Sequence, residues 1–231
     1  MLINILGPDG SGKTTQIERL IAWSRDELGI PARSLAKRDI FDTERFPECD
    51  FFGCSYETLA HRLLPQMIGE CRALWLIYMN AVLVRRQPAE AGEIVFLDGY
   101  WHKHYATEAA FGLPAAWLLD VCRFFPEPDL TLVVDIDPRA VVERGHRHRP
   151  YESGCDFACA DSSFIQHQDK VRGHILDLAV RHGYETIDAD RPEEAIFDDI
   201  CQRVRAATER DDGLGAMLPR ARRTPPERQK P

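Results

Sequence analysis

The sequence predicts an α/β fold in which helices cover both faces of a parallel sheet. Two features support this prediction: five short apolar runs alternate with helical patterns, and a glycine-rich segment joins the first run to the first helix. Helices that alternate with strands return the chain across the sheet, which favours parallel pairing. The chain has 231 residues, enough for one domain of this kind with a complete core.

The five apolar runs are the predicted strands. Each is short, rich in β-branched or other apolar residues, and bounded by turn-forming residues, as buried strands are. In chain order they occupy residues 2–6, 33–36, 94–97, 130–136 and 184–188.

Three further segments show helical spacing. A region at about 55–90 is split near Gly69, and its second half, "ALWLIYMNAVLV", is apolar nearly all round. Such a helix either lies buried in the core or is shared between the core and a dimer interface. The later helices run from Ser162 to Gly183 and onward from Asp190.

The glycine-rich segment is "ILGPDGSGKTTQIERL", residues 5–20. It matches the phosphate-binding pattern G-x-x-x-x-G-K-[ST], and the flanking strand and helix supply the context that the pattern requires. The glycines turn backbone N–H groups onto phosphate oxygens, and the helix dipole adds to this field. Lys13, expected to be exposed in the empty loop, would reach the β- and γ-phosphates, and Thr14 would bind Mg²⁺. The predicted nucleotide-binding residues of the loop are Gly7, Asp9, Gly10, Ser11, Gly12, Lys13, Thr14 and Thr15.

Composition argues against several classes of partner. The formal net charge of −8 argues against general nucleic-acid binding. No apolar run approaches membrane-spanning length, and the chain enters its first strand without a signal peptide, so we predict a cytoplasmic protein with no membrane partner. In that compartment the seven cysteines are expected to be reduced thiols.

Arginines downstream of the fourth strand distinguish among the enzyme classes that use such a loop. The guanine-reading N-K-x-D segment of GTPases is absent, and the third strand ends in Asp98-Gly99 instead of the Asp-Glu usual in ATP-driven motors. A small-molecule kinase needs an arginine-rich lid over the transferring phosphoryl group, and "ERGHRHRPYESG" supplies one after a strand and a helix. The predicted catalytic residues are Lys13, Asp98, Arg144, Arg147 and Arg149.

Four segments resemble the thymidylate kinases, a branch of the nucleoside monophosphate kinases: "GPDGSGKTT", "GEIVFLDGY", "DIDPRAVVER" and "YETIDADRPEEAIFDDI". The resemblance implies a P-loop kinase fold with a five-stranded sheet of order 2-3-1-4-5, Mg²⁺·ATP as donor, and a homodimer through the long apolar helices. It also implies that Asp9 meets the acceptor's sugar and that the loop at Asp188 and Ala189 packs near the ATP base. Asp98 is expected to hold Mg²⁺ together with Thr14, or to orient the acceptor.

Two arginines typical of that family are missing. Gly99 stands where the third strand usually continues Asp-Arg-Tyr, and Tyr78 or a neighbour stands at the arginine of the preceding helix. Both arginines serve the acceptor side in the family, and each such charge-assisted contact is worth ~1.5–3 kcal/mol. The residues that could compensate are Arg38 first, and then Lys37, Arg85, Arg86 and Lys103.

The segment "YWHKHY", residues 100–105, follows the third strand at the edge where open parallel sheets bind ligands. Its rings could stack on a base, or the segment could simply start a half-buried helix. Gly99 would leave a volume there for a bulky acceptor. The predicted acceptor-binding residues are Asp9, Arg38, Tyr78, Tyr100 and Trp101.

Residues 1–208 are therefore predicted to form one kinase domain with a lid at about 144–160, followed by a basic tail at 209–231 that we expect to be disordered. Two histidines and two cysteines of the lid could bind zinc, but their spacing lacks a Cys-x2-Cys knuckle. Free thiols and solvated histidines are the favoured interpretation of His146, His148, Cys155 and Cys159.

The preferred function is transfer of the γ-phosphoryl group of Mg²⁺·ATP to a small nucleotide acceptor, a nucleoside monophosphate that is thymidylate-like or modified. The first alternative is a kinase for an unphosphorylated nucleoside or alcohol, because such an acceptor does not need the missing arginines and Asp39 or Asp98 could act as its general base. The second alternative is a nucleotide-binding protein without transfer activity. Acceptor-dependent formation of ADP discriminates among the three.

Overall fold

The computed structural model describes residues 1–215, apart from the side chains of residues 51, 52 and 211–215. At its centre is a five-stranded sheet in which every pairing is parallel and the order is β2-β3-β1-β4-β5. The predicted fold class and strand order are confirmed, and each strand lies within one residue of its predicted bounds. The strands are β1 Leu2–Leu6, β2 Ala32–Leu35, β3 Ile94–Asp98, β4 Leu130–Asp135 and β5 Glu185–Asp188.

Helices connect and cover these strands. None of the helices within residues 1–215 is both long enough and apolar enough to cross a membrane. Between β2 and the long third helix the chain forms short 3-10 and π turns, so the predicted helical region at 55–90 is regular only after its break near Gly69. The α-helices are α1 Lys13–Glu27, α2 Tyr56–Thr58, α3 Gly69–Arg86, α4 Tyr100–Ala110, α5 Ala115–Cys122, α6 Pro138–Glu143, α7 Asp161–His182 and α8 Glu193–Gly215.

The sheet separates two hydrophobic cores. Side chains alternate between the faces of a strand, so Val95 and Leu97 of β3 enter one core while Ile94 and Phe96 enter the other. Helices α3, α4 and α7 pack on the first face, and helices α1 and α8 pack on the second. Helices on both faces are what makes a parallel sheet stable in water.

Strand β1 lies at the middle of the sheet, and its neighbours position the site. Ile5 is paired with Asp98 of β3 on one side and with Leu132 of β4 on the other. The chain leaves β1 towards α1 on one face and leaves β3 towards α4 on the opposite face. Such a divergence opens a crevice at the carboxyl ends of the two strands, where open α/β sheets bind ligands.

Helix α3 is a core helix along most of its length. Buried side chains occur on nearly every turn, and Leu76 and Met79 are almost completely inaccessible. Of the two interpretations of its apolar sequence, burial in the core accounts for most of the helix. Ile68, just before the helix, and Leu74 on its surface remain 71% and 48% exposed.

The last helix extends into the predicted tail. Helix α8 continues to Gly215, so the first residues of the segment 209–231 are helical. The rest of the predicted tail, residues 216–231, lies outside the described residues.

Candidate active site

A cleft of ≈ 510 Å³ lies where the loops after β1 and β3 meet. Its walls come from the phosphate loop, the turn after β2, helix α4 and the lid. This volume lies within the usual range of roughly 300–1,000 Å³ for small-molecule sites. The cleft brings together nine of the predicted site residues: Asp9, Gly10, Gly12, Lys13, Thr14, Thr15, Arg38, Asp98 and Arg149.

The phosphate loop presents unpaired backbone donors to this cleft. Helix α1 begins at Lys13, and no side chain caps it, because the preceding residue is Gly12 with φ of 84°. Uncapped N–H groups at a helix start are a natural anion site. Gly7 packs against the carbonyl of Val134, where a Cβ would not fit, and Ser11 is buried, so both shape the loop without lining the cleft.

Lys13 is buried, contrary to the expectation that it is exposed in the empty loop. Its Nζ donates to the carbonyl oxygen of Pro8 at 2.7 Å and to Ser11 Oγ at 3.3 Å. Burial, with help from the nearby charge of Lys103, lowers the pKa of Lys13, and Asp9 and other carboxylates partly oppose this. The ammonium group is therefore held inside the loop by neutral oxygens, which a phosphate could replace as its partner.

The two predicted metal ligands are in direct contact. Thr14 Oγ1 donates to Asp98 Oδ2 at 2.7 Å, although they are far apart in sequence. Thr14 lies in the first turn of α1, which follows β1, and Asp98 ends β3, which pairs with β1. A hydroxyl and a carboxylate side by side form an oxygen donor set of the kind that Mg²⁺ prefers. The residues present therefore fit a magnesium site.

Asp9 is held by two partners from distant helices. Its Oδ2 accepts hydrogen bonds from Lys103 Nζ at 2.8 Å and from Gln168 Nε2 at 3.1 Å. The Asp9 backbone N–H donates to Gln168 Oε1 at 3.0 Å. Burial by itself raises the pKa of Asp9, but the charges of Lys103 and Lys13 outweigh it and the net pKa is lowered. The carboxylate is thus fixed in its ionised form.

A second group of cations surrounds Tyr56. Arg149 Nη1 donates to the Tyr56 hydroxyl at 3.3 Å, and Lys37 Nζ lies 5.9 Å from the centre of the Tyr56 ring. Arg38 is exposed and lines the same cleft. Tyr151 of the lid is also close, with its ring centre 6.0 Å from Lys37 Nζ. These contacts put three cations on the wall formed by the lid and the turn after β2.

Helix α4 turns its aromatic residues away from the cleft, which corrects two predictions of acceptor binding. Tyr100 and Trp101 are buried in the core, where the Tyr100 hydroxyl donates to the carbonyl of Pro126 at 3.3 Å. The helix starts immediately at Tyr100, so its cleft-facing side begins three residues later. Lys103, His104 and Thr107 form that side.

Tyr78 does not line the cleft either, and the prediction that it binds the acceptor is corrected. Its hydroxyl donates to the carbonyl oxygen of Glu48 at 3.2 Å, on the side of α3 that packs beneath the second 3-10 turn. Arg85 and Arg86 near the end of α3 are also remote: Arg85 donates to the carbonyl of Phe124, and Arg86 pairs with Glu48. Of the possible replacements for the missing arginines, only Lys37, Arg38 and Lys103 line the cleft.

Arg144 turns towards the loop after β5, and its predicted contact with the transferring phosphoryl group stays a prediction. Its Nη2 donates to the Ala189 carbonyl at 3.1 Å and to Asp190 Oδ1 at 3.1 Å. Asp188 Oδ1 accepts from the Asp190 backbone N–H at 2.9 Å, so Arg144 helps to fix the loop predicted to pack near the ATP base. Arg147 is exposed and does not line the cleft, and its role over bound phosphates stays a prediction.

A buried network anchors the lid to the core. Arg72 and Glu108 form a bidentate ion pair with N–O distances of 2.8 and 3.0 Å, and both side chains are almost inaccessible. The hydroxyl of Tyr151 donates to Glu108 Oε1 at 2.7 Å. Because Tyr151 belongs to the lid and lines the cleft, this network fixes one wall of the site to helices α3 and α4.

The lid histidines and cysteines do not form a metal cluster among the described residues. His148 is bonded through Nε2 to Asp161 Oδ1 at 3.1 Å and stacks on Phe164 with ring centres 3.9 Å apart. Cys155 Sγ accepts a long contact from Arg72 at 3.9 Å. His148 and Cys155 thus each have a structural partner.

Sequence reasoning missed several residues of the cleft. Tyr56, Tyr151 and Glu152 line the cleft, and Gln168, which does not line it, binds Asp9; none of the four belongs to a recognised sequence motif. Tyr151 and Glu152 lie inside the lid segment "ERGHRHRPYESG". Their polar side chains within that segment were the feature of the sequence that could have identified them. Gln168 lies in the middle of α7, and only the packing of α7 against α4 brings it to Asp9.

Three archaeal proteins with similar sequences are each named probable thymidylate kinase. The relative from Pyrobaculum calidifontis is 28% identical over 214 residues, which cover 90% of this chain and 97% of the relative. The relative from Pyrococcus abyssi is 28% identical over 206 residues, covering 86% and 93% of the two chains. The relative from Sulfolobus acidocaldarius is 26% identical over 181 residues, covering 78% and 84%. No protein-family model matches the chain.

These relatives confirm the resemblance that the sequence motifs predicted. The similarity extends over most of both chains in each comparison. The predicted enzyme class, a phosphotransferase of the nucleoside monophosphate kinase type, is confirmed with it.

Proposed function

We propose, from the premise that the chain is a thymidylate-kinase-like phosphotransferase, that it transfers the γ-phosphoryl group of Mg²⁺·ATP to a nucleoside monophosphate, thymidylate-like or modified. One observation carries the proposal: the cleft contains a second set of cations besides the lysine of the phosphate loop. Lys13 lies in the loop, Lys37 and Arg149 contact Tyr56, and Arg38 lines the same cleft. The loop accounts for the donor's phosphates, and the second set supports an acceptor that is itself an anion.

The donor's phosphates are bound by the loop. Uncapped N–H groups at the start of α1 donate to phosphate oxygens, and Lys13 exchanges the carbonyl of Pro8 for the β- and γ-phosphates. This exchange replaces a neutral partner by an anion inside a buried site, where charge-assisted hydrogen bonds are strong. The positive charge of Lys13 then stabilises the negative charge that develops on the phosphoryl group in the transition state.

Thr14 and Asp98 would hold the magnesium ion that accompanies ATP. Their contacting oxygens lie 2.7 Å apart at the mouth of the loop, so both could face one cation, directly or through water. When bound, Mg²⁺ neutralises charge that develops between the β- and γ-phosphates.

The transfer step needs no general base when the acceptor carries a phosphate. An oxygen of that phosphate forms a bond to the γ-phosphorus, the bond from this phosphorus to the β–γ bridging oxygen breaks, and ADP leaves. Arg149 of the lid lies in the cleft to neutralise the phosphoryl group in flight. The lid excludes water, which would otherwise compete as acceptor.

The alternative with an unphosphorylated acceptor needs a base in the cleft. Asp39 does not fill that role, because its Oδ2 accepts from the backbone N–H of Ala36 at 2.8 Å and it does not line the cleft. Asp98 is bonded to Thr14, and Asp9 is paired with Lys103. These three carboxylates therefore have partners that suit phosphate transfer better than proton abstraction.

The test is an acceptor screen by coupled ADP release, in which each nucleoside is compared with its own 5′-monophosphate. Two or three charge-assisted contacts of ~1.5–3 kcal/mol each predict a kcat/KM at least about 100-fold higher for the monophosphate. Turnover of unphosphorylated acceptors alone would replace the proposal by the nucleoside or alcohol kinase. No acceptor-dependent ADP in any pair would indicate a binding protein without transfer activity.

The predicted homodimer belongs to the same proposal. Ile68 and Leu74 are exposed at the start of α3, beside an apolar cavity lined by Met67 and Trp75. Contact between two such surfaces would cover these side chains, and the resemblance implies association through this region. Sedimentation equilibrium measures the mass directly.

A further inference from the structure

Lys103 is an unusually placed lysine. It belongs to α4, is only 9% exposed, and lines the cleft. Its Nζ forms an ion pair of 2.8 Å with Asp9 Oδ2. Lysine is among the residues least often buried, because its ammonium group is strongly hydrated. A lysine buried at a cleft with one carboxylate partner has donors left for an anionic ligand, since an ammonium group carries three.

Lys103 lies between the donor's phosphate loop and the acceptor side of the cleft. Its charge contributes to the lowered pKa of Lys13, so it is close to the donor loop. Its partner Asp9 is in the loop itself, and the adjacent His104 faces the same cleft. Burial, followed by the charges of Lys37 and Lys103, lowers the pKa of His104 well below its usual value. His104 is therefore neutral, and Lys103 supplies the positive charge of this wall.

Gly99 makes room for Lys103. A Cβ at position 99 would lie 3.0 Å from Lys103 Cβ and 3.3 Å from its Cγ. The volume that the glycine leaves free is thus occupied by the lysine side chain, not left open for a bulky acceptor as the sequence suggested. The chain loses an arginine at one position and gains a buried lysine four residues later in the same cleft.

We propose that Lys103 binds the phosphate of the acceptor, exchanging Asp9 for that phosphate when the acceptor enters. In the free protein the ion pair satisfies both charges. In the complex the ammonium group contacts the acceptor phosphate on the side that faces the donor loop, and Asp9 keeps Gln168 and gains a hydrogen bond from the acceptor. This inference rests on the proposed function, because it assigns a phosphate to the acceptor.

The experiment compares Lys103→Met with Lys170→Met. Lys170 is exposed on α7 outside the cleft, so its variant controls for the loss of one lysine charge away from the site. Dissociation constants are measured by calorimetry for thymidine, thymidine monophosphate and the best monophosphate and nucleoside pair from the acceptor screen. Thermal melting of each variant checks that it is folded.

Wild-type protein is expected to bind the monophosphate more tightly than the nucleoside, and Lys103→Met should weaken monophosphate binding about 10- to 100-fold with little effect on the nucleoside. Lys170→Met should preserve the preference, and Lys103→Arg should restore part of it. Equal weakening for nucleoside and monophosphate would mean a merely structural role and overturn the inference.

Two further outcomes separate the inference from the function that it rests on. If the wild-type protein prefers the monophosphate and Lys103→Met keeps this preference, Lys103 does not bind the acceptor phosphate. The proposed function then remains intact. No preference in the wild-type protein overturns the proposed function and the inference together.

Discussion

At the residue scale, Gly99 and Lys103 lie one helical turn apart and share one volume. Gly99 has φ of 78°, a conformation that costs other residues about 1–2 kcal/mol, and a Cβ there would press on Lys103. We predict that Gly99→Arg displaces the lysine and lowers kcat/KM for the best acceptor at least about tenfold, equivalent to ~1.4 kcal/mol. Steady-state kinetics with that acceptor measures the effect.

Gly92 provides the matched control for this substitution. It has the same φ of 78°, but nothing lies within 4 Å of the Cβ that would be added. Gly92→Arg carries the backbone strain without the clash and should keep the activity of the wild type. A gain for Gly99→Arg on thymidine monophosphate, without loss on the best acceptor, would show that an arginine belongs at this position.

Individual site residues were predictable where a local motif fixes them. Lys13 and Thr14 follow from the loop pattern, and Asp98 follows from its place at the end of a strand, so their association needed no knowledge of packing. Tyr100 and Trp101 were assigned to the cleft because they follow the same strand. Which side of α4 faces the ligand depends on how the helix packs against α3 and α7, and nothing local encodes that rotation.

At the element scale, the lid presents its arginines unequally. Arg149 lines the cleft and donates to Tyr56, whereas Arg147 is exposed. We predict that Arg149→Ala lowers kcat more than it raises KM for ATP, and that Arg147→Ala has the smaller effect on kcat. Parallel initial-rate measurements on the two variants decide the order. A larger loss from Arg147 would mean that the lid rearranges when nucleotides bind.

The network of Arg72, Glu108 and Tyr151 joins the lid to two helices. Removing one member of a buried ion pair leaves an uncompensated charge, typically at a cost of 3–5 kcal/mol. Arg72→Met should therefore lower the free energy of unfolding by about that amount in urea titrations. Arg72→Met combined with Glu108→Leu should recover part of the loss, because no buried charge remains. If both variants are equally unstable, packing and not charge holds the network.

Strands and long helices were predictable because their apolar patterns are strong and local. The ends of α7 at residues 161 and 182 follow from the periodic apolar residues and the glycine after them. The short turns between Lys37 and Gln66 have no such pattern, and they supply Tyr56 and the second cationic wall. The acceptor half of the site was therefore harder to predict than the donor half.

At the scale of the whole molecule, buried histidines predict a loss of stability in mild acid. Burial, with a smaller effect of His182, lowers the pKa of His102 to about 3. Burial first, and then Lys103 among other charges, lowers the pKa of His167 to about 4. Both are hence neutral in the folded protein, while in the unfolded chain each protonates near its ordinary pKa of about 6.5.

The direction in which stability changes with pH follows from proton linkage. Between the folded and unfolded pKa values the unfolded chain binds more protons, so stability is complete above pH of about 6.5 and falls as the pH drops towards 4. Within that window each histidine lowers the free energy of unfolding by on the order of 1.4 kcal/mol for each unit that the pH falls. Urea unfolding at closely spaced pH values should show this slope, and His167→Gln should reduce it. A constant free energy of unfolding from neutral pH to about pH 5 would contradict the prediction.

The measurement that tests the account most directly follows a labelled γ-phosphate from ATP into product. With a nucleoside monophosphate as acceptor, the label is expected in a nucleoside diphosphate, in an amount equal to the ADP formed. Lys13→Ala should reduce this rate more than about tenfold, a loss above ~1.4 kcal/mol of transition-state stabilisation. Label found only in free phosphate, or transferred only to an acceptor without a phosphate, would contradict the account.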